Sequence, residues 1–300
     1  MNLLVTGSWQ CTSEQLDAVR ALGHDVVLMP YEKDALPCAY DLVEGVICNG
    51  LFLTHPIEKF ARLKYIQLTS AGYDRVPMDY VREHGIEIRN AGGVYSVPMA
   101  EFALCGVLQL YKQSRYFYEN QKQHKWEKHR SLLELSGKTV TVVGCGSVGT
   151  ACAKRFGAFG CSVVGVDLFP RKDVNYAQIT KLAELDGLLP KTDILVLTLP
   201  LTESTHHLID RDRLCKLKPS AILINISRGA VVDTDALIEA LHSHLGGAVL
   251  DVFEEEPLAA DSRLWDIGNA LITPHNSFVG DGNGQRLFEV ILSNLEGHRA

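Results

Sequence analysis

Three glycines and an aspartate stand at a spacing that suits dinucleotide binding. Gly144, Gly146 and Gly149 lie between the β-rich run 139–143 and a stretch of helical character, and Asp167 closes the next β-rich run. In such a turn the first glycine allows a tight bend, the second lets the backbone approach a pyrophosphate, and the third lets helix and strand pack closely. The N-terminus of the helix that follows favours the phosphates. The pattern therefore predicts a dinucleotide site.

Asp167 indicates which dinucleotide binds. A carboxylate accepts hydrogen bonds from a ribose 2′-hydroxyl and repels a 2′-phosphate, so we expect NAD rather than NADP. Arg171 follows closely and could meet a phosphate, so this preference is not absolute. A lone glycine pattern is weak evidence, because tight turns are common, but here a strand, a helix and a terminal acid are all in register.

The elements that would position this turn alternate between short β-rich runs and helical stretches, which predicts an α/β fold. Six strands are predicted after Lys138, at 139–143, 162–166, 193–198, 221–226, 247–251 and 270–272. An earlier series has predicted strands near 2–6, 25–29, 44–48, 64–68 and 86–89, and helices near 13–22 and 77–84. One long helix is predicted over 98–123, between the two series, and another over 288–295.

This organisation predicts two doubly wound parallel-sheet domains. We expect a smaller, flavodoxin-like substrate domain over 1–97, completed by 275–300. We expect a Rossmann NAD-binding domain over 98–274.

Composition excludes several classes of protein. The net charge of −7 is spread over 300 residues without a basic stripe, so a nucleic-acid surface is not expected. The eight cysteines form no CxxC pair, which favours reduced thiols and predicts no metal site. No apolar run has the length of a membrane span, and the N-terminus lacks the features of a signal peptide. These observations predict a cytoplasmic protein that does not enter membranes.

Several segments together carry a family resemblance. They are Val142-Val143-Gly144-Cys145-Gly146-Ser147-Val148-Gly149, Leu199-Pro200-Leu201-Thr202 with Thr205, Asn225-Ile226-Ser227-Arg228-Gly229, Leu250-Asp251-Val252-Phe253 through Glu256-Pro257, and Thr273-Pro274-His275. In order and spacing they resemble the D-isomer-specific 2-hydroxyacid dehydrogenase family over nearly the whole chain. The resemblance implies that Arg228 binds the substrate carboxylate, that His275 moves the proton, and that Glu256 supports His275.

The chemistry of 2-keto acid reduction agrees with these roles. Arginine presents a planar fork that matches a carboxylate, and histidine can donate or accept a proton near neutral pH. A nearby carboxylate favours the charged histidine. Each residue also has an ordinary explanation: Arg228 as a surface cation and His275 as a turn histidine. Glu256 ends the acidic run 254–256, which is typical of a solvated face, and only the resemblance selects it from its neighbours.

The resemblance also implies the residues that bind cofactor and substrate. The expected cofactor contacts, besides the glycines and Asp167, are Ser147, Val148, Leu199, Pro200, Thr205, Ile226, Ser227 and Asp251, with Asp251 on the nicotinamide carboxamide. Backbone amides of Ser70, Ala71 and Gly72 would grip the substrate carboxylate. Tyr95 and Phe278 resemble the D-lactate and D-2-hydroxyisocaproate branch, where aromatic residues face the substrate.

Two alternatives remain open from the sequence. A phosphoglycerate dehydrogenase-like enzyme would need cations after the third strand, where this chain has Asn49 and Gly50, although Arg75 could partly replace them. A non-catalytic, NAD-sensing regulatory protein could use the same fold. The long helix and the loop through Trp126 resemble the arm through which family members pair, which implies a homodimer.

Overall fold

The computed structural model describes residues 1–297, which form two compact units. One unit contains Met1–Tyr95 together with the chain from Gly280, and the other contains Ser96–Val279. The predicted completion of the N-terminal domain by 275–300 includes 298–300, which lie outside the described residues.

The described residues form twelve strands and nine α-helices. The strands are β1 Asn2–Thr6, β2 Asp25–Met29, β3 Gly45–Cys48, β4 Tyr65–Leu68, β5 Glu87–Arg89, β6 Thr139–Val143, β7 Ser162–Asp167, β8 Gln178–Lys181, β9 Ile194–Leu197, β10 Ile222–Asn225, β11 Gly247–Leu250 and β12 Ala270–Ile272. The helices are α1 Ser13–Ala21, α2 Met78–Glu83, α3 Ser96–Tyr111, α4 Ser114–Lys122, α5 Ser147–Ala158, α6 Leu185–Leu188, α7 Arg211–Lys216, α8 Thr234–Ser243 and α9 Asn283–Glu296. The α/β prediction is confirmed.

The N-terminal unit is built on a five-stranded parallel sheet in the order β2-β1-β3-β4-β5. This is the flavodoxin-like order of a doubly wound sheet. Strands β3 and β4 are buried along their whole length, as expected for strands covered on both faces. Helix α9 packs Leu287, Ile291 and Leu295 into a core cluster with β1, because this four-residue spacing places them on one side of the helix.

The C-terminal unit is built on a seven-stranded parallel sheet in the order β12-β11-β10-β9-β6-β7-β8. Its central strands are short runs of β-branched and aliphatic residues, buried in two core clusters. All six predicted strands are present. Strand β8 was not predicted, because Gln178–Lys181 is a polar, half-exposed segment at the sheet edge and has no apolar alternation.

The prediction of one long helix over 98–123 is wrong. Helix α3 ends at Tyr111, and Gln113 adopts a left-handed conformation with φ 52° before α4 begins. The carbonyl of Tyr111 accepts a hydrogen bond from Leu133 N at 3.1 Å, and Lys112 Nζ donates to Leu133 O at 2.7 Å. These contacts with a later segment stabilise the break, which helical periodicity alone does not reveal.

Within residues 1–297, no helix combines the length and the apolar character needed to cross a bilayer.

Candidate active site

The glycine turn after β6 requires glycine at two of its three positions for steric reasons. Gly144 has φ 95°, and a Cβ there would lie 2.7 Å from the backbone nitrogen of Leu199. A Cβ on Gly149 would lie 2.0 Å from the carbonyl oxygen of Gly144. Both contacts are with backbone, which cannot move aside cheaply. The turn and the first turn of α5 are therefore packed as closely as a dinucleotide fold demands.

Gly146 has a different environment. A Cβ built on this residue meets no atom within 4 Å, so nothing in the chain explains a glycine there. Gly146 is also the N-cap of α5, and no side chain caps that helix. Ser147 is exposed and Val148 is half-buried, so the first turn of α5 reaches the surface. An uncapped helix N-terminus beside open space is a fitting place for a pyrophosphate.

Asp167 lies at the end of β7 and contacts the glycine turn. Its Oδ2 accepts a hydrogen bond from Cys145 N at 2.7 Å, and its Oδ1 accepts one from Phe169 N at 3.0 Å. Arg171 Nη2 donates to the carbonyl of Cys145 at 2.5 Å. Both side chains therefore stabilise the turn from the outside, a role that the sequence did not predict. Because the carboxylate is half-buried, it keeps accessible surface for a further ligand contact.

His275 and Glu256 form an exposed pair at the end of β12. His275 Nδ1 lies 2.8 Å from Glu256 Oε2, and their side chains are 43% and 36% exposed. Glu256 Oε1 accepts a hydrogen bond from Phe253 N at 3.0 Å, which fixes the carboxylate. With Nδ1 engaged, the Nε2 atom of His275 is the ring nitrogen available to a ligand. The Phe278 ring stands edge-on to the His275 ring at 6.2 Å.

The backbone of His275 is held in an unusual conformation. Its φ is 51°, in the left-handed region that residues with a Cβ rarely adopt. The backbone N–H of His275 donates to Asp251 O at 2.8 Å and to Thr273 O at 3.0 Å. Such an outlier persists only where the surroundings enforce it, and it is often found at functional sites.

Asp251 holds the loop around His275 in this conformation. It is fully buried. Its Oδ1 accepts hydrogen bonds from Thr273 Oγ1 at 2.6 Å and Asn276 N at 2.7 Å, and its Oδ2 accepts one from Ser277 N at 2.8 Å. The carboxylate thus binds both sides of His275. In this structure it has no surface to offer a nicotinamide carboxamide, so the predicted cofactor contact of Asp251 would require the loop to move.

Arg228 follows β10 in a turn that is fixed by its neighbours. Asn225 Nδ2 donates to Arg228 O at 3.0 Å, and Arg228 Nη1 donates to Ser227 O at 2.8 Å. A Cβ on Gly229 would lie 1.8 Å from the backbone carbon of Phe253, so the Arg228 turn is pressed against the loop that carries Glu256. The structure therefore brings the Arg228 turn, Glu256 and His275 to neighbouring strand ends of one sheet.

A second histidine–carboxylate pair lies in the same region. His207 Nε2 is 2.8 Å from Glu254 Oε2, and Thr234 N donates to Glu254 Oε1 at 3.0 Å. Although burial opposes the effect, these two hydrogen bonds lower the pKa of Glu254 below its ordinary value. The acidic run 254–256 is therefore not a simple solvated face, because two of its three carboxylates hold specific partners.

The other predicted cofactor residues of this unit are mostly enclosed. Leu199, Thr205, Ile226 and Ser227 are buried, and Pro200 is exposed. The Thr205 hydroxyl donates to Pro200 O at 2.8 Å and accepts a hydrogen bond from Thr202 N at 2.7 Å. This hydroxyl shapes the loop after β9, so Thr205 supports the loop in the present structure.

The predicted substrate loop of the N-terminal unit follows β4. Ser70 Oγ donates to Gly72 O at 3.1 Å, and Asn90 Nδ2 donates to Ala71 O at 2.6 Å. Ala71 is exposed and Gly72 is half-buried. The hydroxyl of Tyr95 donates to the carbonyl of Thr69, and burial raises the pKa of Tyr95. Tyr95 therefore also supports the loop from behind, which the sequence did not predict.

Metal-binding clusters are not found in the part of the chain that the structure describes, where no group of three or more His, Cys, Asp or Glu side chains is suitably placed. All eight cysteines are free thiols.

Residues 104–277 match the family model described as D-isomer specific 2-hydroxyacid dehydrogenase, NAD binding domain. This match covers more than half of the chain. The chain belongs to the D-isomer specific 2-hydroxyacid dehydrogenase family. The matched stretch contains the glycine turn, Arg228, Glu256 and His275. The protein is thus an oxidoreductase of the 2-hydroxyacid dehydrogenase kind with a Rossmann-type NAD-binding domain.

Known relatives agree in sequence and in fold. A glyoxylate reductase from Thermofilum pendens is 34% identical over 272 residues, which are 88% of this chain and 78% of that protein. A D-lactate dehydrogenase from Aquifex aeolicus, solved with NAD and lactic acid, has a TM-score of 0.78 and 28% identity, covering 99% of this chain and 95% of that one. A D-isomer specific 2-hydroxyacid dehydrogenase from Xanthobacter autotrophicus, solved with NADPH and MES, has a TM-score of 0.80 and 28% identity. It covers 100% of this chain and 96% of that one.

Proposed function

We propose that the protein interconverts a small, unphosphorylated 2-keto acid and the corresponding D-2-hydroxy acid, with NAD as its cofactor. The observation that carries the proposal is the pair of His275 and Glu256, which lie 2.8 Å apart on an exposed surface beside the Arg228 turn. The similarity to a glyoxylate reductase favours a substrate with a short side chain.

His275 is the proton donor in reduction and the acceptor in oxidation. Glu256 binds Nδ1, so it fixes the ring orientation and leaves Nε2 to exchange a proton with the substrate oxygen. The strained backbone of His275 and its hydrogen bonds to the carbonyls of Asp251 and Thr273 preorganise that nitrogen. Removal of a positioned general acid typically costs about 10²–10⁴-fold in rate.

Arg228 binds the substrate carboxylate. A guanidinium holds a carboxylate through two parallel hydrogen bonds and keeps its charge at every relevant pH. The Asn225 and Ser227 contacts keep the Arg228 backbone fixed, so the fork can be presented in one orientation. In the N-terminal unit, we assign further substrate contacts to the backbone amides of Ser70, Ala71 and Gly72.

The cofactor supplies the hydride when it is bound. The first turn of α5 and Gly146 would hold its pyrophosphate, and Asp167 would hold the adenosine ribose. The carboxylate of Asp167, which binds Cys145 N, favours NAD, whereas Arg171, which binds Cys145 O, offers a cation to a 2′-phosphate. We propose that the carboxylate prevails, because it lies closer to the strand end where the ribose binds.

Two further parts of the proposal concern assembly and location. Trp126 is 97% exposed, with Tyr118 at 57% and Phe117 at 38%, and a homodimer would cover this apolar surface. Sedimentation of the wild type and of Trp126→Glu tests the dimer, which the charge should weaken. Free cysteines throughout the chain suit the reducing cytoplasm.

The experiment is a steady-state assay of NADH oxidation with pyruvate, glyoxylate, hydroxypyruvate, 2-ketoisocaproate, phenylpyruvate and 3-phosphohydroxypyruvate. NADPH is compared with NADH on the best substrate. We expect turnover of an unphosphorylated acid with NADH, reduced at least about 100-fold in His275→Ala with NADH affinity retained. If NADH binds but no 2-keto acid is reduced, the proposed function is wrong and an NAD-sensing role gains support.

A further inference from the structure

Glu32, which follows β2, places its carboxylate on backbone amides at the end of another strand. Its Oε1 accepts a hydrogen bond from Asn49 N at 2.7 Å, and its Oε2 accepts one from Gly50 N at 2.7 Å. Oε1 also accepts a hydrogen bond from Thr6 Oγ1 at 2.7 Å. All three bonds are short, as expected for a charged acceptor. Glu32 is therefore an internal anion held by two consecutive N–H groups.

The position of this anion in the sheet is informative. Thr6 ends β1, and Asn49 and Gly50 follow β3, so the Glu32 carboxylate joins the carboxyl ends of these two neighbouring strands. In the order β2-β1-β3-β4-β5, β2 is added on one side of β1, and β3, β4 and β5 are added on the other side, so the order of the strands reverses between β1 and β3. Doubly wound sheets bind ligands at such switch points, outside the carboxyl ends of the strands. Glu32 thus occupies the natural ligand position of the N-terminal sheet.

The same edge carries the proposed substrate loop. Thr69 N donates to Cys48 O at 2.9 Å, which joins the end of β4 to the residue immediately before Asn49. Ser70, Ala71 and Gly72 follow directly. The Glu32 carboxylate and the loop that we assign to the substrate therefore extend from adjacent strand ends within one unit.

Two consecutive backbone amides form an anion-binding concavity, which would suit a phosphate or sulfonate on the far end of a substrate. Here that concavity is filled by a carboxylate of the chain itself. A second anionic group on the substrate would lose these donors and would meet a negative charge. Arg75 is the nearby cation: a Cβ on Gly50 would lie 3.4 Å from Glu32 Oε2 and 3.8 Å from Arg75 Cδ.

We propose that Glu32 is a specificity-determining residue that excludes substrates with a second anionic group, by occupying the Asn49 and Gly50 amides with its own carboxylate. This inference rests on the proposed function, because it names the class of acid that the site rejects. Glu32→Gln removes the charge and retains the shape of the side chain. Because the glutamine amide has one acceptor oxygen where the carboxylate has two, it releases at least one of the Asn49 and Gly50 N–H groups, which with Arg75 beside it forms a site for a phosphate.

The first test does not depend on catalysis. Calorimetric titration without cofactor compares D-3-phosphoglycerate with D-glycerate, which differ only by the phosphate. For the wild type we expect no gain in affinity from the phosphate. For E32Q we expect D-3-phosphoglycerate to bind at least about tenfold more tightly than to the wild type, because the like charge is removed and a backbone N–H donor is released. The gain should disappear in E32Q with Arg75→Ala, and Glu58→Gln, at an exposed glutamate of the same unit, is the matched control.

The second test uses turnover of hydroxypyruvate and 3-phosphohydroxypyruvate. The ratio of their kcat/KM values should favour the unphosphorylated acid in the wild type and fall at least about tenfold in E32Q. A wild type that reduces both acids with comparable efficiency contradicts the proposal, whether or not E32Q folds. A folded E32Q with unchanged affinities and an unchanged ratio also contradicts it. If E32Q gains D-3-phosphoglycerate binding but no protein reduces a 2-keto acid, Glu32 acts as inferred and the proposed function fails instead.

Discussion

Alanine at three glycines around α5 should separate the stability of the fold from the binding of the cofactor. Gly149 packs against backbone, since its Cβ would lie 2.0 Å from Gly144 O. Gly146 and Gly157 have no atom within 4 Å of a built Cβ, and neither has a positive φ. Gly146 lies where the pyrophosphate is expected, whereas Gly157 lies near the far end of the helix.

These environments give three different expectations. Gly149→Ala should lower the free energy of unfolding by about 1–3 kcal/mol, as overpacking does. Gly146→Ala should cost less than about 1 kcal/mol, which is the scale of an N-cap change. Gly146→Ala should nevertheless weaken the affinity for NADH at least about tenfold, because its methyl group occupies space that the pyrophosphate needs. Gly157→Ala should raise stability by about 0.5 kcal/mol and leave NADH affinity unchanged, because alanine is the better helix former.

The assays are urea unfolding for stability and quenching of protein fluorescence by NADH for affinity. Gly157→Ala is the control for adding a methyl group to the same helix. A Gly146→Ala variant that binds NADH as the wild type does would contradict these expectations, and so would a Gly149→Ala variant that unfolds at the same urea concentration as Gly157→Ala.

The carboxylates of Asp251 and Glu254 lead to two predictions about stability. Asp251→Asn should destabilise the protein by about 1–3 kcal/mol, because an amide that retains Oδ1 turns its NH₂ group toward Ser277 N–H and leaves a buried donor unpaired. Urea unfolding measures this cost, and a loss below about 0.5 kcal/mol would mean that the loop relaxes around the amide. Glu254 has a lowered pKa, so its bonds to His207 and Thr234 stabilise the fold above about pH 4.5, its ordinary value, and are lost as pH falls through the lowered pKa. The difference in Tm between the wild type and Glu254→Gln should therefore narrow in acid, and a difference that is constant from pH 7 to about 3 contradicts this assignment.

Sequence periodicity was sufficient for most of the fold, because the parallel strands are short apolar runs separated by helices. It failed where tertiary contacts determine the backbone. Strand β8 is polar and is held by β7 alone, and the break at Gln113 depends on hydrogen bonds to Leu133. Neither strand β8 nor the break at Gln113 can be recognised from the local pattern of hydrophobic residues.

Predicting the site required knowledge of which residues meet across long separations. The pairing of Glu256 with His275 agrees with the family pattern, but nothing in the acidic run itself distinguishes Glu256 from its neighbours. The sequence did not predict that Asp251 anchors the His275 loop or that Glu32 binds two backbone N–H groups, because each acts on backbone amides far away in sequence. Backbone partners of this kind have no residue-type signature.

We propose that Glu256, and not its neighbours, supports His275 as the proton donor. The most direct test compares kcat/KM for keto-acid reduction, and NADH affinity, in Glu256→Gln and Glu255→Gln. Glu255 is exposed and adjacent in sequence, so it is a matched control. We predict that Glu256→Gln lowers kcat/KM at least about tenfold with NADH affinity retained, because the ring of His275 loses the partner that fixes it, while Glu255→Gln follows the wild type. Identical kcat/KM values for the two variants would contradict the role of Glu256.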